Sequence, residues 1–138
     1  MQFNIKLIFG LLLITTLTFT SKLFAQTNTD TWFVPTAAKR KLNPLKANEA
    51  SIASGKILYN QQCGFCHGAQ GKGDGPFALQ QVLNISDFST IQFNLQTDGE
   101  LYYKISEGRK SMPAFKTKIA NKDEIWAIIN YIRSLCNH

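Results

Sequence analysis

The stretch "QQCGFCHGAQGKGDGP", Gln61 to Pro76, places two cysteines two residues apart, a histidine directly after the second, and four glycines in the next nine positions. What those two sulfurs serve depends on the compartment and on what else the chain offers as a ligand. A disulfide between Cys63 and Cys66 would close a very small loop and constrain little. A thiol-redox pair belongs at the start of a helix in a βαβ setting, and no strand alternation holds anywhere in the chain. A zinc site needs about four nitrogen or sulfur ligands, and beyond His67 only Cys136 and His138 remain, both at the C-terminal end. The fourth reading is covalent haem c, for which CxxCH is the signature. Two thiols must then meet two vinyl groups on one side of a porphyrin, and one helical turn through Cys63 and Cys66 supplies that spacing. His67 follows in position to bind the iron.

The chain has 138 residues, enough for one domain. Residues 1–25, "MQFNIKLIFGLLLITTLTFTSKLFA", have the layout of a secretory signal peptide: Lys6, an apolar run from Leu7 to about Phe19, and Ala25 at the cut. Leu23 stands where a small residue is usual, so a retained membrane anchor is the alternative. Either way the remainder is expected in the periplasm or otherwise outside the cytosol, where haem is attached in this manner. The formal charge is +6, and Lys6 and Lys22 leave with the leader. The basic residues are scattered and unaccompanied by any nucleic-acid motif, so nucleic acid is not expected as a partner. A mild positive face suits steering of an acidic protein.

Residues 26–46 read as an extended arm. "QTNTDTW" is polar and Pro35 and Pro44 interrupt any helix, yet Trp32, Phe33 and Val34 are apolar enough to dock on the domain or a partner. The domain is expected over 47–138 and to be all-α. "NEASIASGKILYNQQC" is a helix with Asn48 as N-cap and Ser51 as a rival cap. Gly55 inside it costs about 1 kcal/mol against alanine, tolerable where another helix crosses closely. A short helix is expected near Phe77 to Leu83, then loop. "TDGELYYKISEG" carries a capping box, Thr97 with Glu100, and a C-terminal stop at Gly108. "NKDEIWAIINYIRSL" predicts the strongest helix, with Asn121 and Glu124 as a second box and a stripe of Ile125, Trp126, Ile128, Ile129, Ile132 and Leu135. So small a helical domain needs a staple at its centre.

Elimination points to the iron's other ligand. Once the leader is removed, Met112 is the single methionine, in the Gly- and Pro-flanked "GRKSMPAF" between two helices. A methionine there is ordinarily a core plug. Given a haem, its soft thioether favours ferrous iron and raises the potential.

"CGFCH", "GKGDGP", "GRKSMPAF" and "DEIWAIINYIRSL", in that order, resemble a small bacterial class I cytochrome c from about Ala47 to Leu135. The resemblance implies a fold whose N- and C-terminal helices cross near Gly55, with Tyr59 and Tyr131 at the crossing, over one covalently bound haem c. It implies that the Pro76 carbonyl accepts the ring N–H of iron-bound His67, and that Pro113 stiffens the ligand loop. Phe115, with Phe77, Leu79, Leu83, Phe88 and Ile105, would wrap the haem. The expected site is thus Cys63, Cys66, His67, Met112, Pro76 and Phe115, with His67 and Met112 on iron. The expected function is single-electron carriage between redox proteins with acidic docking faces, with Lys72, Lys110, Lys116 and Lys118 as steering charges. No enzyme activity, small-molecule substrate or direct membrane contact beyond an uncleaved leader or a partner complex is expected. Cys136 departs from the pattern as an odd cysteine, either an inert half-buried thiol or a link between chains.

Overall fold

In the computed structural model, residues 31–136 are described; the leader at 1–25 and His138 lie outside them. Seven helical segments follow in order among the described residues: α1 Thr36–Lys39, α2 Glu49–Gln62, α3 Gly64–His67, α4 Pro76–Gln81, α5 Ile91–Asn94, α6 Asp98–Glu107 and α7 Lys122–Leu135. The only β feature among the described residues is an isolated bridge between Arg109 and Met112. Residues from Phe33 onward form one compact unit, and no described helix is long and apolar enough to cross a membrane.

Local chemistry sets most helix starts. Asn48 caps α2 by accepting from the Ser51 N–H at 2.9 Å, while the Ser51 hydroxyl accepts from the Asn48 N–H at 3.1 Å. The two candidate caps are partners in one box. Thr97 and Glu100 close the expected box at α6, with reciprocal bonds of 3.1 and 2.8 Å. At α7 the expectation is corrected in part. Asn121 is the cap, but its side chain accepts from the Asp123 N–H at 3.0 Å, and Glu124 forms no box with it. The short Asn side chain closes an Asx turn two residues on, which competes with the three-residue reach a box needs. Replacing Asn121 by alanine should cost about 1 kcal/mol of stability, measured as a lower urea midpoint at unchanged slope.

The α2–α7 crossing organises the core. An alanine Cβ at Gly55 would lie 1.9 Å from the Ala127 carbonyl oxygen, so the backbones touch where the glycine sits. Tyr59, fully buried, meets Tyr131 at 5.1 Å between ring centroids. The Tyr59 hydroxyl donates to the Gly68 carbonyl at 2.7 Å, fastening the loop after α3 to the crossing. Burial, reinforced by neighbouring Cys63, pushes the Tyr59 pKa up, so the phenol keeps the proton that bond requires. The expected stripe on α7 is present, but burial runs without a break from Ile125 to Ile132, including Ala127, Asn130 and Tyr131. Something covers the helix on its other side.

That cover is the segment before α2. Val34 is buried while Phe33 is exposed. The Thr97 hydroxyl donates to the Lys39 carbonyl at 2.8 Å, and Lys39 pairs with Glu100 at 3.1 Å. The Lys41 ammonium lies 3.9 Å from the Tyr102 ring centroid, and Tyr102 in turn stacks on Trp126 at 4.3 Å. Asn43 donates to the Asn130 side-chain oxygen at 2.8 Å, and Asn130 donates to the Leu45 carbonyl and the Ser51 hydroxyl, each at 3.2 Å. The buried amide in an apolar helix is thereby satisfied.

Two segments were not expected. The arm contains the turn α1, for which Pro35 is the N-cap. The loop after α4 contains α5, capped by the Thr90 side chain and burying Phe93. The short helix near Phe77 begins one residue earlier, at Pro76, and ends at Val82 in a left-handed conformation (φ 51°).

Candidate functional site

Cys63 is at once the C-cap of α2 and the N-cap of α3. Its carbonyl accepts from the N–H groups of Cys66 at 3.0 Å and His67 at 2.9 Å, closing one helical turn. Residues three apart in such a turn share a face, so the spacing of Cys63 and Cys66 is realised as the sequence implied. Both are free thiols. Burial, with Cys66 as a secondary cause, pushes the Cys63 thiol up to about 12. A protonated thiol is a poor nucleophile for disulfide exchange, where reactive cysteines have depressed pKa values, so Cys63 lacks the character of an attacking thiol.

Burial also lowers the His67 pKa to about 4, so the imidazole is neutral at pH 7 and carries a lone pair for a metal. Its ring lies 5.0 Å from that of Phe88. Nδ1 of His67 is buried with no hydrogen-bond partner. The bond that the resemblance implied to the Pro76 carbonyl is therefore absent from this structure, although Pro76 opens α4 immediately past the loop. That loop folds back under α3: the N–H of Gly73 donates to the His67 carbonyl at 2.9 Å, and that of Gly75 to the Cys66 carbonyl at 3.2 Å.

Met112 is placed by the end of α6. Gly108 stops the helix at φ 66°, a left-handed backbone that disfavours any side chain. A Cβ there would also lie 2.5 Å from Ala114 N and 2.6 Å from the Met112 carbonyl oxygen. Arg109 and Met112 then exchange two backbone hydrogen bonds, 2.8 and 2.9 Å, and Phe115 N–H donates to the Ile105 carbonyl at 3.1 Å. Lys116 N–H donates to the Ser106 carbonyl at 3.2 Å, so the loop is tied back to α6 at its far end. Gly108→Ala should loosen this loop at a cost of about 1–3 kcal/mol, with the largest gain in amide exchange confined to residues 109–116.

Met112 and Cys63 pack against one hydrophobic cluster that includes Phe88, Phe93, Leu101, Ile105 and Phe115. Phe115, Phe88 and Ile105 are buried as core residues. Phe77 meets Phe65 at 5.6 Å, whereas Leu79 is 67% exposed and lines nothing here. Phe93, stacked on Phe88 at 4.3 Å, went unnoticed in the sequence because it lies on a single turn with no period around it. Cys136 caps α7, its thiol donating to the Phe88 carbonyl at 3.2 Å and the Ile132 carbonyl at 3.3 Å, and burial pushes its pKa up. Its thiol is engaged within the chain.

Among the described residues no three His, Cys, Asp or Glu side chains gather as a metal-ion site. The donors present are instead two free thiols on one helical turn, a neutral imidazole with an unpartnered nitrogen, and a thioether loop, set around an aromatic cluster. That donor set fits a haem, and on this helical fold it defines a small c-type cytochrome. The family model described as cytochrome C oxidase, cbb3-type, subunit III matches residues 50–132. Cytochrome c6 of Chlorolobion braunii is 30% identical over 84 residues, covering 61% of this chain and 90% of the relative. A solved chain of the reducing HAO-like protein complex of Kuenenia stuttgartiensis aligns with TM-score 0.56 at 30% identity over 67% of this chain, which spans only 46% of that one. The chain belongs to the cytochrome c family, in its cbb3 subunit III group, as a monohaem class I cytochrome c. It is an electron carrier and not an enzyme. The family carries haem c, and the spacing of Cys63 and Cys66 fits its attachment signature.

Proposed function

We propose that this cytochrome carries one haem c held by thioethers to Cys63 and Cys66, with His67 and Met112 on the iron, and shuttles single electrons between exported redox proteins. The observation that carries this is the helical CxxCH turn whose Cys63 packs on the same cluster as the Met112 loop. Bound there, the haem supplies a one-electron ferric–ferrous couple. Cys63 and Cys66 hold it, His67 offers a neutral nitrogen and Met112 a soft sulfur. Phe88, Phe115 and Ile105 exclude water, and the Pro76 carbonyl would be the acceptor for Nδ1 of His67 in the haem-bound protein. Residues 1–25 direct export, 26–46 lead into the domain, and 47–138 form the haem-binding part.

Acidic partner faces meet the charge around the two ligand segments. All four candidate lysines are exposed. Lys116 pairs with Glu107, Lys118 lies 5.5 Å from the Phe115 ring centroid, and Lys72 lies near Asp87. Changing Lys72 and Lys110 to glutamate should flatten the ionic-strength dependence of electron transfer to an acidic partner. An unaltered dependence would remove these two residues from docking.

The test of the proposal is the visible spectrum of protein exported from a host with haem-attachment machinery. Colour that resists acid-acetone, a sharp reduced α-band and a far-red band in the ferric state are expected. A colourless product would overturn the haem, and carbon monoxide binding to the reduced protein at neutral pH would overturn Met112 ligation.

A further inference from the structure

The family match begins at residue 50, yet residues 36–45 make specific contacts with the domain and have no place in the electron-carrying site. Their grip on α6 is concentrated at that helix's first turn. A Cβ at Gly99 would lie 2.1 Å from the Ala38 carbonyl oxygen, 2.7 Å from that of Lys41 and 3.1 Å from that of Lys39. Gly99 is thus a notch into which the turn after Pro35 presses its carbonyls, against the electropositive end of α6. Thr97 and Glu100, the two members of the α6 cap, each spend a second bond on Lys39. Lys41 covers Tyr102 one turn further along. From the other side, Arg133 holds Asp98 at 2.8 Å and also donates to the Gln96 carbonyl. The opposite end of α6 carries the Met112 loop through Ile105 and Ser106.

A helix of ten residues is well below the length at which helices persist alone. Its population therefore depends on what is docked at its ends, and segments of this kind open as a unit. We infer that residues 36–45 are a strap which, by clamping the first turn of α6, sets how readily Met112 leaves its ligating position. This rests on the reading of Met112 as the sixth ligand. The strap is accordingly a positioning element acting through α6, with the Lys39 carbonyl and the Lys39, Lys41 and Asn43 side chains engaged within the chain.

The test uses the holoprotein, with imidazole as the competing ligand and the ferric far-red band as the signal. Gly99→Ala disturbs the notch from the helix side. The double variant Lys39→Ala, Lys41→Ala disturbs it from the strap side through two exposed residues, so the fold is retained. Asn121→Ala serves as a control that weakens α7 without touching the strap's contacts on α6. Both strap variants should lose the band to imidazole about tenfold faster, equivalent to about 1.4 kcal/mol, and should lose amide protection over residues 98–116. The control should change exchange by no more than about twofold. Wild-type exchange rates in both strap variants would overturn the inference. So would a rise in all three that merely follows their lost stability, since that marks a general structural role. A wild-type ferric protein without the far-red band would instead sink Met112 ligation itself, and this inference with it, which tells the two failures apart.

Discussion

Replacing Gly55 by alanine is expected to lower the stability of the folded chain by about 3 kcal/mol or more, at the upper end of overpacking costs. Two effects oppose each other. Alanine improves the intrinsic helix propensity of α2 by about 1 kcal/mol. Against that, the new methyl would stand 1.9 Å from the Ala127 carbonyl oxygen and 2.5 Å from its carbon, both backbone atoms that no rotamer change can move. The helices must separate, and separation loosens Tyr59 from Tyr131 and the hydrogen bond from Tyr59 to Gly68. That bond holds the loop behind His67, so the damage reaches the haem-binding turn. Domains have only about 5–15 kcal/mol in hand, and a loss this large should also reduce the yield of haem-loaded protein. Urea unfolding of the two purified proteins measures it. A change below about 1 kcal/mol would mean the crossing tolerates sliding, and the close approach would not be what the glycine is for.

The second large effect is expected at Met112. Met112→Ala should abolish the ferric far-red band, let the reduced protein bind carbon monoxide, and lower the midpoint potential by a few tenths of a volt, within the roughly 0.8 V that axial ligands span. The fold should survive. Met112 is half-buried at the edge of the cluster, and its loop is held by the backbone bonds of Arg109, Phe115 and Lys116 and not by the thioether. Redox titration and carbon monoxide difference spectra separate this from a packing role. A variant with lowered stability but an unchanged potential and no carbon monoxide binding would return Met112 to the core. Met112→Leu, which keeps most of the packing volume, should reproduce the spectroscopic change with a smaller stability cost.

Much of the fold could be read residue by residue because its determinants are local. The cap at Asn48 and the box at Thr97–Glu100 involve atoms three residues apart, and the helical stop at Gly108 needs only a left-handed backbone. The CxxCH turn is equally local, and so is the order of its donors. Asn121 shows the limit of that logic: the cap was legible, but which N–H it would satisfy depended on the turn that the chain before α7 adopts. Phe93 and α5 were missed because one turn of helix has no periodicity to detect. Pro76 was placed beside the histidine, while the bond between them is not formed around the buried, unpartnered nitrogen of His67.

The strap marks the larger divide. Residues 26–46 looked like an arm because Pro35, Pro44 and scattered polar residues carry no period. The attachment of residues 36–45 lies in Gly99, Thr97, Tyr102 and Asn130, up to 87 positions away. Asn130 could equally have been read as an exposed polar interruption of an apolar stripe; only the partners Asn43, Leu45 and Ser51 show that it is buried and satisfied. By itself, then, the sequence determined α2, α4, α6 and α7, the two thiols and imidazole on one turn, and Met112 as the candidate soft donor. These follow from short-range spacing and from the chemistry of residue types. Only the tertiary structure decided that the segment before α2 is part of the domain, and that it grips the helix leading to Met112. Such contacts depend on surfaces that do not exist until α2, α6 and α7 have packed.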